Sequence, residues 1–182
     1  MDLHLGAKIV LVTGASRGIG LATARAFAAE GCRVMLSARS SEALHVAESG
    51  LRAGGATVAS AVADVTQPED AARLVQATVA AFGGIDILVN NVGGSLGARN
   101  IADSTDEDWR ATLEMNLLQT VRMMRLVLPH MRGRAGAAVV NVSSISGWSP
   151  QLAGSGQYGA AKAALIFDAE AGHWSLCRTA CG

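Results

Sequence analysis

The sequence predicts an α/β fold, a single doubly wound parallel sheet, on three observations. Short runs rich in β-branched residues alternate with longer segments of helical period, the order that βαβ units produce. The short runs are almost continuously apolar, as strands are when helices cover both faces of a sheet. Half of the 182 residues are apolar, enough for one well-cored domain and too few for two comfortable ones.

The elements follow in order. Lys8 to Thr13 reads as the first strand, and Gly18 to Glu30 as a helix closed by Gly31. Arg33 to Ser37 is the second strand, followed by a helix from Ser41 to Ala53 that Gly54 ends. After a third strand, Ala56 to Val62, the pair Gln67-Pro68 opens a helix over Pro68 to Phe82, because proline is tolerated where a helix begins, and Gly83 closes it. Ile85 to Val89 and Ala137 to Val142 are the fourth and fifth strands, with one long helical segment, Asp106 to Met131, before the fifth. No Pro-rich linker, solenoid repeat or low-complexity tract interrupts the series.

Fifteen basic residues balance fifteen acidic ones, which gives no electrostatic case for nucleic acid or an anionic membrane surface. The longest candidate span, Leu113 to Met131, carries Glu114, Asn116, Arg122 and Arg125 and is too polar to cross a bilayer. Cys32, Cys177 and Cys181 form no disulfide framework, and with no apolar leader near residue 1 they point to free thiols in a reducing cytoplasm. Cys177, Cys181 and nearby His173 fall short of the four ligands of a structural zinc, so no metal is expected.

Gly14, Gly18 and Gly20 lie between the first strand and first helix. A missing Cβ there lets backbone N–H groups approach a pyrophosphate, whose charge the helix N-terminus favours. The second strand ends in Ser37-Ala-Arg39, without the acidic residue that would hydrogen-bond the 2′-hydroxyl of NAD. Arg39 suits a 2′-phosphate instead, and Arg17 offers a second guanidinium, so NADP is expected ahead of NAD.

Far downstream, Tyr158 and Lys162 are four apart and share one helical face, so their tips can converge. A phenol beside an ammonium can move a proton, and with a dinucleotide turn it points to hydride transfer to or from a nicotinamide. Ser144 stands just beyond the fifth strand, where a hydroxyl can meet a reacting oxygen. Its neighbour Ser143 is the alternative. His130 and His173, the other candidate bases, sit beside no strand end and read as surface residues.

Together these motifs resemble the short-chain dehydrogenase/reductase family and its Rossmann fold, over about Leu3 to Phe167. The family pattern Thr-Gly-x-x-x-Gly-x-Gly is matched at every fixed position by Thr13, Gly14, Gly18 and Gly20, and Ser16, Arg17 and Ile19 fall inside it. The resemblance implies that the Asp64 side chain and the Val65 amide meet the adenine ring. It also places Asn91, Val92 and Gly93 in the cofactor site, with Val92 where the family usually has Ala. Asn90, beside them, reads mainly as a backbone-satisfying amide. The implied catalytic set is Asn116, Ser144, Tyr158 and Lys162, with Tyr158 and Lys162 also touching the cofactor. Ser144 is selected because it stands three residues before Gly147 and fourteen before Tyr158.

The resemblance then stops. Family members continue with further strands, whereas residues 168–182 show no helical apolar stripe. Back-translated codons for Trp174 to Gly182 can spell, in another frame, a segment similar to one that family members carry. The expectation is therefore a domain over residues 1–167 that lacks the usual C-terminal strands, with a divergent tail that a change of reading frame would explain. The fifth strand would then form an open edge, and a homo-oligomer is expected. The function implied is an NADP-dependent oxidoreductase that interconverts an alcohol and a ketone or aldehyde. The alternative is an inert chain that binds nucleotide or associates with other subunits. Gly94-Ser-Leu96 and the loop Trp148 to Gln157 carry what substrate information remains, and Trp148 and Leu152 hint at an apolar one.

Overall fold

A computed structural model describes residues 3–97, 100–149 and 156–178, the stretch 168–178 as backbone alone. The elements are β1 (Ile9–Thr13), α1 (Gly18–Ala29), β2 (Arg33–Ala38), α2 (Ser41–Ala53), β3 (Val58–Val62), α3 (Pro68–Phe82), β4 (Ile87–Asn90), α4 (Asp106–Leu113), α5 (Gln119–Met131), β5 (Ala138–Asn141) and α6 (Gly156–Arg178). The sheet order is β3-β2-β1-β4-β5, and β1 pairs in parallel with both β2 and β4. The winding direction reverses at β1, and in open sheets of this kind ligands bind outside the carboxyl ends of the strands flanking that reversal. This is the doubly wound α/β architecture expected from the alternation of runs.

The chain divides into two compact units. The first comprises Met1–Asn91 with Arg122–Val140, the second Val92–Val121 with Asn141–Gly182. In the first unit every residue of β1 and β4 is buried, and Leu36, Leu44 and Leu74 pack with them in the core. Local chemistry fixes the helix ends. The Ser40 hydroxyl accepts from the Ala43 N–H at the start of α2, Pro68 opens α3, and Gly83 closes it in the left-handed conformation at φ 87°. Asp86, only 5% exposed, accepts from the Ile9 N–H at 2.8 Å and from Arg134 Nε at 2.7 Å, tying the start of β1 to the turn before β5. β5 is an edge strand, and Val140 on it is 46% exposed.

In the second unit, Thr105 and Asp108 form a reciprocal capping box at the start of α4. The segment expected as one helix from Asp106 to Met131 is interrupted by a π-helical turn, Glu114–Leu118, with Asn116 fully buried inside it. The cause is a change of hydrogen-bond spacing from four residues to five, which apolar periodicity does not reveal. The backbone of α6 stays helical to Arg178, past the point where the sequence resemblance ends. Residues 179–182, with Cys181, and residues 150–155, with Leu152, lie outside the described residues. Among the described residues no helix is long and apolar enough to cross a membrane, and no group of His, Cys, Asp or Glu is arranged to hold a metal.

Candidate functional site

In the first unit the turn after β1 is built around Thr13. Its hydroxyl donates to the Val89 carbonyl at 3.3 Å and accepts from the Asn91 N–H at 3.0 Å, which locks the ends of β1 and β4 together. Asn91 Nδ2 returns two bonds, to the carbonyls of Thr13 (3.1 Å) and Gly14 (3.2 Å). Gly14 and Gly18 adopt left-handed φ angles of 64° and 57°, which side chains rarely accept. A Cβ on Gly20 would lie 2.3 Å from the Gly14 carbonyl oxygen and 2.6 Å from Asn91 Nδ2, so only glycine fits.

At the N-terminus of α1, Arg17 is extended and its side chain makes no cap, and the first turn holds no acidic residue. The orphan N–H groups there are left to an anion from outside the helix. Ser16 is half-buried, Arg17 is exposed, and Ile19 at the head of the helix is 66% exposed. This cradle, closed to a Cβ and free of competing carboxylates, fits a dinucleotide pyrophosphate.

Arg39 follows β2 and is exposed. Asp64 follows β3, and its Oδ2 lies 3.9 Å from Arg39 Nη1. Asp64 Oδ1 accepts from the N–H (3.1 Å) and hydroxyl (2.7 Å) of Thr66, forming a tight turn that contains the buried Val65.

In the second unit α6 carries Tyr158 and Lys162 on one face, with Lys162 Nζ 5.8 Å from the centre of the Tyr158 ring. Lys162 is 3% exposed, donates to the Val142 carbonyl at 2.9 Å, and has its pKa lowered by burial. Asn116 accepts from the Gly94 N–H at 3.0 Å and donates to the Gly94 carbonyl at 2.8 Å and the Thr112 carbonyl at 2.9 Å. A Cβ on Gly93 would be 2.9 Å from both Asn116 Oδ1 and Lys162 Nζ, so these two side chains converge on the Gly93 backbone.

After β5, the Ser144 hydroxyl accepts from the Ser146 N–H at 3.2 Å and caps a 3-10 turn, Ile145–Gly147. The alternative, Ser143, has its hydroxyl committed to the Lys162 carbonyl at 3.1 Å. A Cβ on Gly147 would stand 2.6 Å from the Lys162 carbonyl carbon, which explains the glycine three residues after Ser144. Asn116, Ser144, Tyr158 and Lys162 thus all belong to the second unit with Val92 and Gly93. The turn residues, Arg39, Asp64, Val65 and Asn91 belong to the first.

Sequence reasoning does not single out Gln119. Its fully buried side chain donates to the carbonyls of Val92 (3.0 Å) and Met115 (3.3 Å) and so holds the backbone after β4. Nor does it single out Arg122 or Thr112 as site residues. Nothing in a helix of this polarity distinguishes a solvated amide or guanidinium from one bound to a distant loop.

In the first unit the glycine cradle stands at the reversal point of a parallel sheet, as in α/β proteins of the Rossmann type, and in the second the Tyr-Lys pair shares one face of α6. Residues 8–171 match the family described as short chain dehydrogenase, and the chain belongs to the short-chain dehydrogenase/reductase family. It is 39% identical to human dehydrogenase/reductase SDR family member 4 over 162 residues, 89% of this chain and 58% of that protein. The chain therefore spans well under two thirds of the length of such relatives. Among solved structures it resembles L-sorbose reductase from Gluconobacter frateurii complexed with NADPH and L-sorbose, with TM-score 0.93 and 34% identity over 98% of this chain and 68% of that one. An NAD+-bound xylitol dehydrogenase is similar at TM-score 0.90 and 32% identity, covering 96% of this chain and 67% of that one.

Proposed function

We propose that the protein is an NADP-dependent oxidoreductase that interconverts an alcohol and a ketone or aldehyde. Tyr158 is the acid/base, Lys162 lowers its pKa and holds the cofactor ribose, Ser144 orients the reacting oxygen, and Asn116 serves the proton relay. The observation that carries this reading is the buried Lys162 ammonium set 5.8 Å from the Tyr158 ring centre. Bringing a phenol from its ordinary pKa near 10 to about 7 requires roughly 4 kcal/mol of phenolate stabilisation. An ammonium that is 3% exposed acts through a low local dielectric, where its field is weakly screened, and so supplies more of that energy than a solvated one. Burial also disfavours the Lys162 charge, and an anion beside the ammonium would offset that cost.

The cofactor-holding set is Thr13, Gly14, Ser16, Gly18, Ile19 and Gly20 at the pyrophosphate, Arg39 and Arg17 at the 2′-phosphate, Asp64 and Val65 at the adenine, and Asn91, Val92 and Gly93 after β4. A bound nicotinamide supplies the hydride donor or acceptor. Both NADPH and NAD+ occur in the similar structures, so the preference for NADP rests on Arg39 and Arg17 and on the missing acid after β2. The reading extends to residues 1–167 as the nucleotide-binding domain with a divergent tail, to a small-molecule alcohol or ketone as substrate, to self-association, and to a cytoplasmic setting.

The test is an assay of the purified protein with NADPH and a panel of ketones and aldehydes, alongside Tyr158→Phe. The expected result is turnover that falls roughly a hundredfold or more in the Phe variant, with cofactor affinity retained, because only the transferable proton is lost. A Phe variant that keeps most of its rate removes Tyr158 from the chemistry. Nucleotide binding without turnover in the parent favours the second reading, an inert nucleotide-binding chain.

A further inference from the structure

We infer that Arg122, on α5, positions the loop after β3 so that Val65 can present its N–H to the adenine of the cofactor. The inference rests on the nucleotide-binding reading above. The loop is Asp64-Val65-Thr66, and its backbone polar groups can be accounted for one by one. The Asp64 N–H donates to Asp70 Oδ2 at 3.0 Å, the Asp64 carbonyl accepts from the Gln67 N–H at 2.8 Å, and the Thr66 N–H donates to Asp64 Oδ1 at 3.1 Å. The two remaining carbonyls, of Val65 and Thr66, both accept from Arg122 Nη1, at 3.1 and 3.2 Å. The Val65 N–H is then the one main-chain polar group of the three residues without a partner among the described residues.

An N–H donor at Val65 and, one residue earlier, a carboxylate acceptor at Asp64 complement the edge of adenine, whose N1 accepts and whose 6-amino group donates. Arg122 touches neither group, so it is a positioning residue. One guanidinium nitrogen shared by two consecutive carbonyls fixes the two peptide planes that follow Val65, and each plane is rigid in itself. Arg suits this task because it stays charged and its fork is planar. Asp70, held to Arg73, anchors the other side of the loop, and the Asp64 N–H bond is the main cause of the lowered Asp70 pKa. With Arg122 gone the loop keeps that anchor and the Asp64–Gln67 bond, and loses its hold on the Val65 and Thr66 carbonyls, so Val65 is no longer fixed from its C-terminal side.

The experiment titrates the chain, Arg122→Met and Arg122→Lys with NADPH and with its hypoxanthine counterpart. In the latter the purine edge carries an N1–H donor and an oxygen acceptor, the reverse of adenine. Arg122→Met is expected to weaken NADPH binding about tenfold and binding of the hypoxanthine cofactor by less than about twofold. Arg122→Lys is expected to show the same selective loss on a smaller scale, about threefold, and keeps the comparison decisive if the Met variant does not melt cooperatively. Equal weakening of both cofactors, the mark of a merely structural role, overturns the inference, as does an unchanged ratio of affinities in both variants. A parent chain that binds neither cofactor overturns the nucleotide-binding reading itself, and the inference with it.

Discussion

Arg39 Nη1 lies 3.9 Å from Asp64 Oδ2, so the cation that follows β2 faces the carboxylate that follows β3 on the neighbouring strand. Both groups have solvent access, and a pair of this kind contributes only about 0–1 kcal/mol, leaving the guanidinium available to a stronger anion. If that anion is a 2′-phosphate, Arg39→Ala weakens NADPH by roughly ten- to a hundredfold, the equivalent of about 1.5 to 3 kcal/mol, and leaves NADH almost unchanged. Titration of both cofactors against both proteins checks this. Equal loss for the two would remove Arg39 from the phosphate.

Gly20→Ala tests the cradle. Its new methyl would sit 2.3 Å from the Gly14 carbonyl, closer than carbon and oxygen approach, so the turn has to open. Dinucleotide binding should be lost while circular dichroism still reports the parent's helix content. Retained affinity would mean that the pyrophosphate does not sit on this turn.

Asp86 gives the stability a defined acid dependence. Burial pushes its pKa up, but hydrogen bonds from Arg134 and the Ile9 N–H outweigh this and hold it below the usual carboxylate value. A carboxyl with a depressed folded pKa stabilises the fold fully above its unfolded pKa, and that contribution is lost as pH falls through the folded value. Urea unfolding should therefore show the parent losing stability through that acid window. Asp86→Asn should be less stable by about 1.5 to 3 kcal/mol near neutrality and should lose less on acidification. A variant with the parent's stability and acid slope would contradict the role of this tie.

Lys162 has the opposite signature. Its folded pKa is lowered by burial, so the cost of holding the ammonium is fully present below the folded value and is relieved as pH rises toward the unfolded one. Thermal melts of the parent should rise in midpoint over that alkaline window, and Lys162→Met should flatten the rise while impairing cofactor binding. An equal alkaline rise in the variant would assign the effect to another group.

β5 stands at one end of the strand order with Val140 46% exposed, and the proposed self-association would run through that edge. Sedimentation should find associated species in the parent and fewer in Val140→Lys, since a lysine on an edge opposes pairing. A parent that sediments as a monomer at all concentrations would refute this.

The sheet and its helices were legible because their signal is local. The apolar runs from Lys8 to Thr13 and from Arg33 to Ser37 bracket β1 and β2 to within a residue or two, and Pro68 and Phe82 are the true ends of α3. The fifth strand was legible in the same way, from the apolar run that brackets Ala138–Asn141. The interruption of Asp106–Met131 by a π-helical turn was not, since the change lies in backbone hydrogen bonding and the apolar pattern runs through it. Neither was the work of Arg122, which reaches a loop more than fifty residues earlier in the chain. The continuation of α6 to Arg178 also went unread, because residues 168–178 carry no apolar stripe to announce a helix.

The most direct test is equilibrium titration of the unmodified chain with NADPH and with NADH, followed by nicotinamide fluorescence. The expected result is saturable binding of both, NADPH the tighter by roughly tenfold or more, in keeping with a charged contact to a 2′-phosphate. Absence of saturable binding for either nucleotide would contradict the central claim that the turn from Thr13 to Gly20 holds a dinucleotide.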